Sequence, residues 1–158
     1  NNILLGSRKI NFWFFKTQEE SKTSHDAPVA FALYNTQFES VVSGDDNGFI
    51  TVWDIENGHQ LTKFGDAHGK GNKLTAATFD SKKRRLVSSG SDGTVKIWNF
   101  SNGQALKNLL GYNNESQIDK EVTQLVCIYD PENAEGPEEN EKMSHFVAVG
   151  WDKRLRIW

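Results

Sequence analysis

The 158 residues contain one cysteine, one methionine and three prolines. A lone thiol, Cys127, excludes an intrachain disulfide scaffold and points to a reducing compartment. Cys127 lies in the strand-like run from Val122 to Tyr129, where a buried, inert thiol is expected rather than a nucleophile. No apolar run approaches the ~18 residues that a membrane-crossing helix requires, and nothing reads as a signal peptide. A net charge of only −3 supplies no long-range field for nucleic acid or an anionic membrane. His25, His59, His68 and His145 are scattered, and with one cysteine they offer no metal-ligand spacing. No paired carboxylates or phosphate-cradling loop appear either. An enzyme, a metal site and a cofactor are therefore not expected.

What is present is an ordinary globular balance, 37% hydrophobic and 25% charged, with a length near one domain. It also carries a repeat. Tryptophans 13, 53, 98 and 158 each close a similar phrase, as in Ser43-Gly-Asp-Asp-Asn-Gly-Phe-Ile-Thr-Val-Trp53 and Ser88-Ser-Gly-Ser-Asp-Gly-Thr-Val-Lys-Ile-Trp98. The intervals are 40, 45 and 60 residues, and the last contains an acidic stretch, Asp130 to Ser144. Without those 15 residues it too is 45. The chain opens at Asn1 without an initiator Met and stops at Trp158, both within a repeat phrase, so it is expected to be a segment of a larger protein.

Each period predicts four short strands. In the repeat of Trp98 these are Leu74 to Phe79, Leu86 to Ser89, Thr94 to Phe100 and Ala105 to Leu110, joined by Asp80-Ser-Lys-Lys-Arg85, Ser91-Asp-Gly93 and Asn102-Gly103. Val95 and Ile97 alternate with Lys96 and Trp98, which predicts opposite faces. A helical period fails because no segment holds it and glycine turns recur too often.

A 40–45-residue period ending in Trp, with a turn aspartate, resembles the WD repeat over essentially the whole chain. That resemblance implies an all-β fold: a partial WD-repeat β-propeller of four-stranded antiparallel blades, about three of them plus part of another. Residues 1–23 would be the tail of a preceding blade, 24–65 and 66–111 whole blades, and 112–158 a blade lacking its outer strand, with the acidic insert 130–144. Propellers close with 4–8 blades, so the remaining blades of the parent chain are expected as partners. The resemblance further implies a tetrad of histidine, Ser or Thr, aspartate and tryptophan within each blade. His68, Ser88, Asp92 and Trp98 fill all four slots. The repeat of Trp53 offers His25 and Ser43, with Asn47 in the aspartate slot. The repeat of Trp158 keeps Asp152 but has Ala148 at the hydroxyl slot and Gly111-Tyr112 where Gly-His is expected. Its tetrad and that of Trp53 should be weaker.

One stretch is similar to a narrower group. Ala67-His68, Leu74 to Asp80, Arg84-Arg-Leu86 and Asp92 through Trp98-Asn-Phe100 to Gly103 resemble the ciliary and flagellar axonemal WD-repeat proteins typified by WD repeat-containing protein 49. This implies a non-catalytic scaffold of the axoneme, a cytoskeletal location, and tubulin and axonemal proteins as partners. An adaptor of a ubiquitin ligase, transport or chromatin complex is the alternative. Some members of the group carry EF-hands, but Asp130-Pro-Glu-Asn-Ala-Glu135 lacks the ligand spacing and sixth-position glycine.

Three features depart from the repeat. Lys82-Lys83-Arg84-Arg85 is either a solvated turn or a contact for an acidic partner; without a basic stripe or stacking platform it does not read as a nucleic-acid site. The acidic stretch reads as a tolerated insertion or a tether for a basic partner. Trp151 stands in a turn slot where a small polar residue is usual, so it is either covered by a loop or exposed as a binding anchor. Ser88, His68 and Asp92 could spell a catalytic set, but a hydroxyl aimed at a buried indole is not a nucleophile beside an oxyanion hole.

Overall fold

A computed structural model describes residues 24–109, 120–128 and 145–158. Eleven strands form three antiparallel sheets among these residues, and no helix. The first sheet runs in sequence order through β1 (Val29–Asn35), β2 (Ser40–Asp45), β3 (Ile50–Asp54) and β4 (Gln60–Phe64). The second repeats it with β5 (Leu74–Phe79), β6 (Leu86–Gly90), β7 (Val95–Asn99) and β8 (Gln104–Leu109). The third comprises β9 (Val122–Ile128), β10 (His145–Gly150) and β11 (Leu155–Ile157). This is the all-β, partial-propeller arrangement expected from the repeat.

The turns explain why the chain reverses where it does. Gly48 and Gly93 adopt φ of 82° and 78° in the β2–β3 and β6–β7 turns, a conformation costly for any side chain with a Cβ. The sheets also share their irregularities. Register shifts fall between Val52 and Trp53 in β3 and between Ile97 and Trp98 in β7, so both tryptophans are re-aimed at the same point of their strands.

Strand alternation divides the second sheet between two cores. Leu86 lies opposite Trp98, and one step along Val87 lies opposite Ile97. The first pair packs with Val42, Ile50, Val52 and Phe64 of the first sheet. The second pair packs with Val122, Leu125, Phe146 and Ala148 of the third. Each fully buried Leu, Ile or Val contributes about 1.5–3 kcal/mol, so a one-residue slip in β6 or β7 would transfer both cores to the wrong sides. The inner strands β1, β5 and β9 lie side by side.

Polar clasps join the first two sheets. Thr62 Oγ1 donates to the Ser101 carbonyl at 3.1 Å, and Lys73 Nζ meets Asp46 Oδ2 at 2.9 Å. The third sheet is less enclosed: Val126, Ile128, Leu155 and Ile157 are exposed.

Candidate functional site

Two buried hydrogen-bonded relays and a set of exposed turn side chains carry the chemistry of the described residues. In the second sheet, register places Ser88 of β6 opposite Lys96 of β7, two residues before Trp98. The Trp98 indole Nε1 donates to Ser88 Oγ at 2.8 Å, and Ser88 Oγ lies 2.8 Å from His68 Nε2. An indole can only donate, so the serine O–H turns to the ring and the proton of His68 sits on Nδ1. That proton meets Thr94 Oγ1 at 2.7 Å, and the threonine hydroxyl donates to Asp92 at 2.8 Å. The carboxylate itself is 3.4 Å from the ring. His68, Ser88, Asp92 and Trp98 are thus brought together, with Thr94 between the histidine and the aspartate. The repeat pattern did not single out Thr94. Its signal was a hydroxyl two residues after the turn aspartate, beside the strand end that faces the ring.

Asp92 is half-buried. Burial opposes its ionisation, but hydrogen bonds from the His68 ring and from the Thr94 N–H and hydroxyl outweigh this and hold its carboxyl below the usual aspartate range.

The first sheet builds the same relay from a different acid. Trp53 Nε1 donates to Ser43 Oγ at 2.7 Å, and Ser43 Oγ lies 2.6 Å from His25 Nε2. His25 Nδ1 meets Asp45 Oδ2 at 2.9 Å. The expectation that Asn47 fills the acidic slot is corrected: Asn47 is exposed, and only its backbone N–H takes part, donating to Asp45 Oδ1 at 3.0 Å. Asp45 ends β2, so its side chain points along the strand face shared with Ser43, whereas a turn-tip residue points to water. Asp45 Oδ1 also accepts from the Phe49 N–H at 2.9 Å, so one carboxylate closes both the turn and the relay.

The third sheet has no such relay among its described residues. Ala148 takes the hydroxyl slot, opposite Arg156 as Ser88 is opposite Lys96, and is fully buried. Asp152 pairs with the Arg156 guanidinium instead of a histidine. Trp158 packs against the second core, and its backbone pairs with Phe146 in both directions at 3.0 Å. Asp152 and Trp158 are therefore not members of one hydrogen-bonded set. Gly111-Tyr112 and the stretch 130–144 lie outside the described residues, as does Trp13.

Lys82, Arg84 and Arg85 are exposed in the β5–β6 turn. Lys83 is not: it takes a positive φ of 54°, its carbonyl accepts from Asn35 Nδ2 at 2.7 Å, and its amine donates to Thr36 Oγ1 at 2.6 Å. It clasps the turns of two sheets. Trp151 is 65% exposed among the described residues. Cys127, in β9, packs partly buried against the second core. Among the described residues no group of three or more His, Cys, Asp or Glu could hold a metal.

Residues 58–99 match the family model for the WD domain, G-beta repeat. Over 139 residues, 84% of the chain, it is 30% identical to "WD repeat-containing protein on Y chromosome" of Drosophila pseudoobscura pseudoobscura, covering 11% of that protein. The Anopheles gambiae protein of the same name is 36% identical over 70 residues, 40% of this chain and 7% of its own length. The chain thus spans about a tenth of the length of the curated relatives it matches. Among solved structures, it is similar to the WD40 repeats of RRP9, with a TM-score of 0.67 at 15% identity, covering 86% of this chain and 36% of that one. It is also similar to the computationally designed Ika8 protein, with a TM-score of 0.56 at 27% identity, covering 85% and 34%. Period, register, relay and likeness agree: residues 58–99 match a WD repeat, and the described sheets have the fold of WD40-repeat proteins.

Proposed function

We propose that this chain is a non-catalytic part of a WD-repeat scaffold that holds other proteins in a large assembly. One observation carries the reading. The relay side chains His25, Ser43, Asp45, His68 and Ser88 face inward and are hydrogen-bonded to each other or to a neighbour, while the exposed Phe38 and Trp151 and the cations Lys82, Arg84 and Arg85 stand in turns between strands. A hydroxyl held between an indole and an imidazole has no open approach for a substrate. Turns on a rigid sheet frame are where binding residues concentrate.

The finer reading is a structural component of the ciliary or flagellar axoneme, with tubulin and axonemal proteins as neighbours and a cytoskeletal location. Its support is the resemblance of Asp92 through Gly103 to the axonemal group. Nucleic acid and membranes are not proposed as partners. The test is proximity labelling from the full-length protein in ciliated cells. Axonemal proteins should dominate the labelled set. Enrichment of a ubiquitin-ligase, transport or chromatin complex would replace the axonemal reading by the adaptor reading, and absence of any stable protein neighbour would remove the scaffold.

A further inference from the structure

We propose that the double turn formed by Thr36–Glu39 and Asp80–Arg85 is a preorganised docking site for an acidic protein segment that carries an apolar side chain. The proposal rests on the scaffold reading and adds to it a location and a partner chemistry.

The two turns belong to different sheets, yet one side chain organises both. Asn35 is 0% exposed. Its Oδ1 accepts from the N–H groups of Gln37 and Phe38 at 3.0 and 3.2 Å, which shapes the β1–β2 turn. Its Nδ2 crosses to the Lys83 carbonyl at 2.7 Å, and Lys83 Nζ returns to Thr36 Oγ1 at 2.6 Å. Inside the second turn, Asp80 Oδ1 accepts from the N–H groups of Arg84 and Arg85 at 2.7 and 3.0 Å. The backbone closes with Asp80 N–H to the Arg85 carbonyl at 3.0 Å and Lys83 N–H to the Asp80 carbonyl at 2.9 Å. Asp80, the acid within this turn, is thus engaged with backbone N–H groups.

Lys82, Arg84 and Arg85 remain. All three are exposed, and none forms an ion pair with a described residue. Three like charges within four residues repel one another, and a carboxylate-rich partner would relieve that repulsion. Beside them Phe38 is 52% exposed, its ring fixed edge-on against Phe100 at 5.8 Å, and Phe100 against Phe79 at 5.5 Å. The turn thus offers a held aromatic surface next to unpaired cations. Glu39 is the one exposed acid of the β1–β2 turn, and it leaves the balance positive. Because the turns are hydrogen-bonded to each other, little ordering remains to oppose binding. A single aromatic without a row of partners disfavours a nucleic-acid strand, which stacks successive bases.

The test uses the full-length protein and a fluorescein-labelled peptide of glutamates flanking a central phenylalanine, read by fluorescence anisotropy. The wild type should bind it, and binding should weaken steeply as salt rises. Lys82→Glu with Arg84→Glu and Arg85→Glu should weaken it at least about tenfold, since interface charges reversed against an acidic partner repel it. Phe38→Ser alone should weaken it by about threefold or more while preserving the salt dependence, and it decides the matter if the charge-reversed variant does not fold. Equal binding by wild type and both variants would overturn the site, as would tighter binding of an oligothymidylate of equal charge. Loss of the peptide site with protein neighbours retained in the labelling experiment would reject this proposal and leave the scaffold reading standing.

Discussion

The first two sheets solve one problem with exchanged parts. Both need an acceptor for the Nδ1 proton of a buried histidine. In the first sheet an acid at the end of β2, Asp45, meets the ring directly, and the position four residues on is Phe49. In the second sheet the equivalent pair is Gly90 and Thr94, and the ring reaches the acid through the threonine. The equivalence is structural: Asp45 N–H bonds to the Phe49 carbonyl as Gly90 N–H bonds to that of Thr94. Where the strand end supplies the carboxylate, the later position is free to be aromatic. Where it is glycine, the later position must carry a hydroxyl. The relay is thus conserved as a hydrogen-bond path rather than as a sequence slot.

The largest effect should come from the residue both solutions share. Trp98→Ala should cost about 3–5 kcal/mol, because it empties the space against Phe64 and leaves Ser88 without its donor. Thermal melts of the complete protein beside Leu61→Ala, an exposed site, check this; equal melting points would refute it.

Asp45→Ala should follow, at about 3 kcal/mol, since it strands the His25 proton and two turn N–H groups. Thr94→Val should cost about 1–2 kcal/mol, for it removes only the bridging hydroxyl. If chemical denaturation ranks Thr94→Val above Asp45→Ala, the direct path is not the stronger one.

Gly90→Ala tests why the acid cannot sit at the first slot in both sheets. A Cβ there would stand 2.6 Å from His68 Cγ and 2.7 Å from Asp92 Oδ1. A cost of about 1–3 kcal/mol is expected from the forced shift. A neutral Gly90→Ala melt would show that the two relays can be interchanged.

The second relay should also respond to pH through Asp92. The Asp92 carboxyl is held below its ordinary value in the folded chain. Its contribution is therefore complete above the unfolded value of about 3.9 and fades as pH falls through the lower folded value. The stability gap between wild type and Asp92→Asn should narrow from pH 6 to pH 3, and a constant gap would contradict the assignment. Smallest of all, Trp151→Ser should change stability by less than about 0.5 kcal/mol, because this ring is exposed; a large loss in the melt would mean that it is covered in the assembly.

Much of this was legible in the amino-acid order. Trp53 and Trp98, the glycine turns and the alternation of Val95 and Ile97 with Lys96 and Trp98 specify strand type, turn position and face, because each is a local consequence of backbone sterics and period two. His68, Ser88 and Trp98 were findable by counting back from the tryptophan, since register in a tight hairpin is a count of residues. Asn47 was misassigned by the same counting. The count locates a Cα, whereas the direction of a side chain at a turn depends on which strand face it inherits. Lys83 shows the same limit across sheets. Nothing in Lys-Lys-Arg-Arg distinguishes the one cation whose carbonyl and amine meet Asn35 and Thr36, almost fifty residues away.

The sequence by itself determined the repeat, the strand order and which positions face a core, for these follow from short-range periodicity. Tertiary structure alone decided which acid completes each relay, that Trp151 is exposed, and that three of four neighbouring cations form no ion pair among the described residues. Those outcomes depend on distances between segments far apart in the chain, and such distances exist only once the sheets have packed against one another.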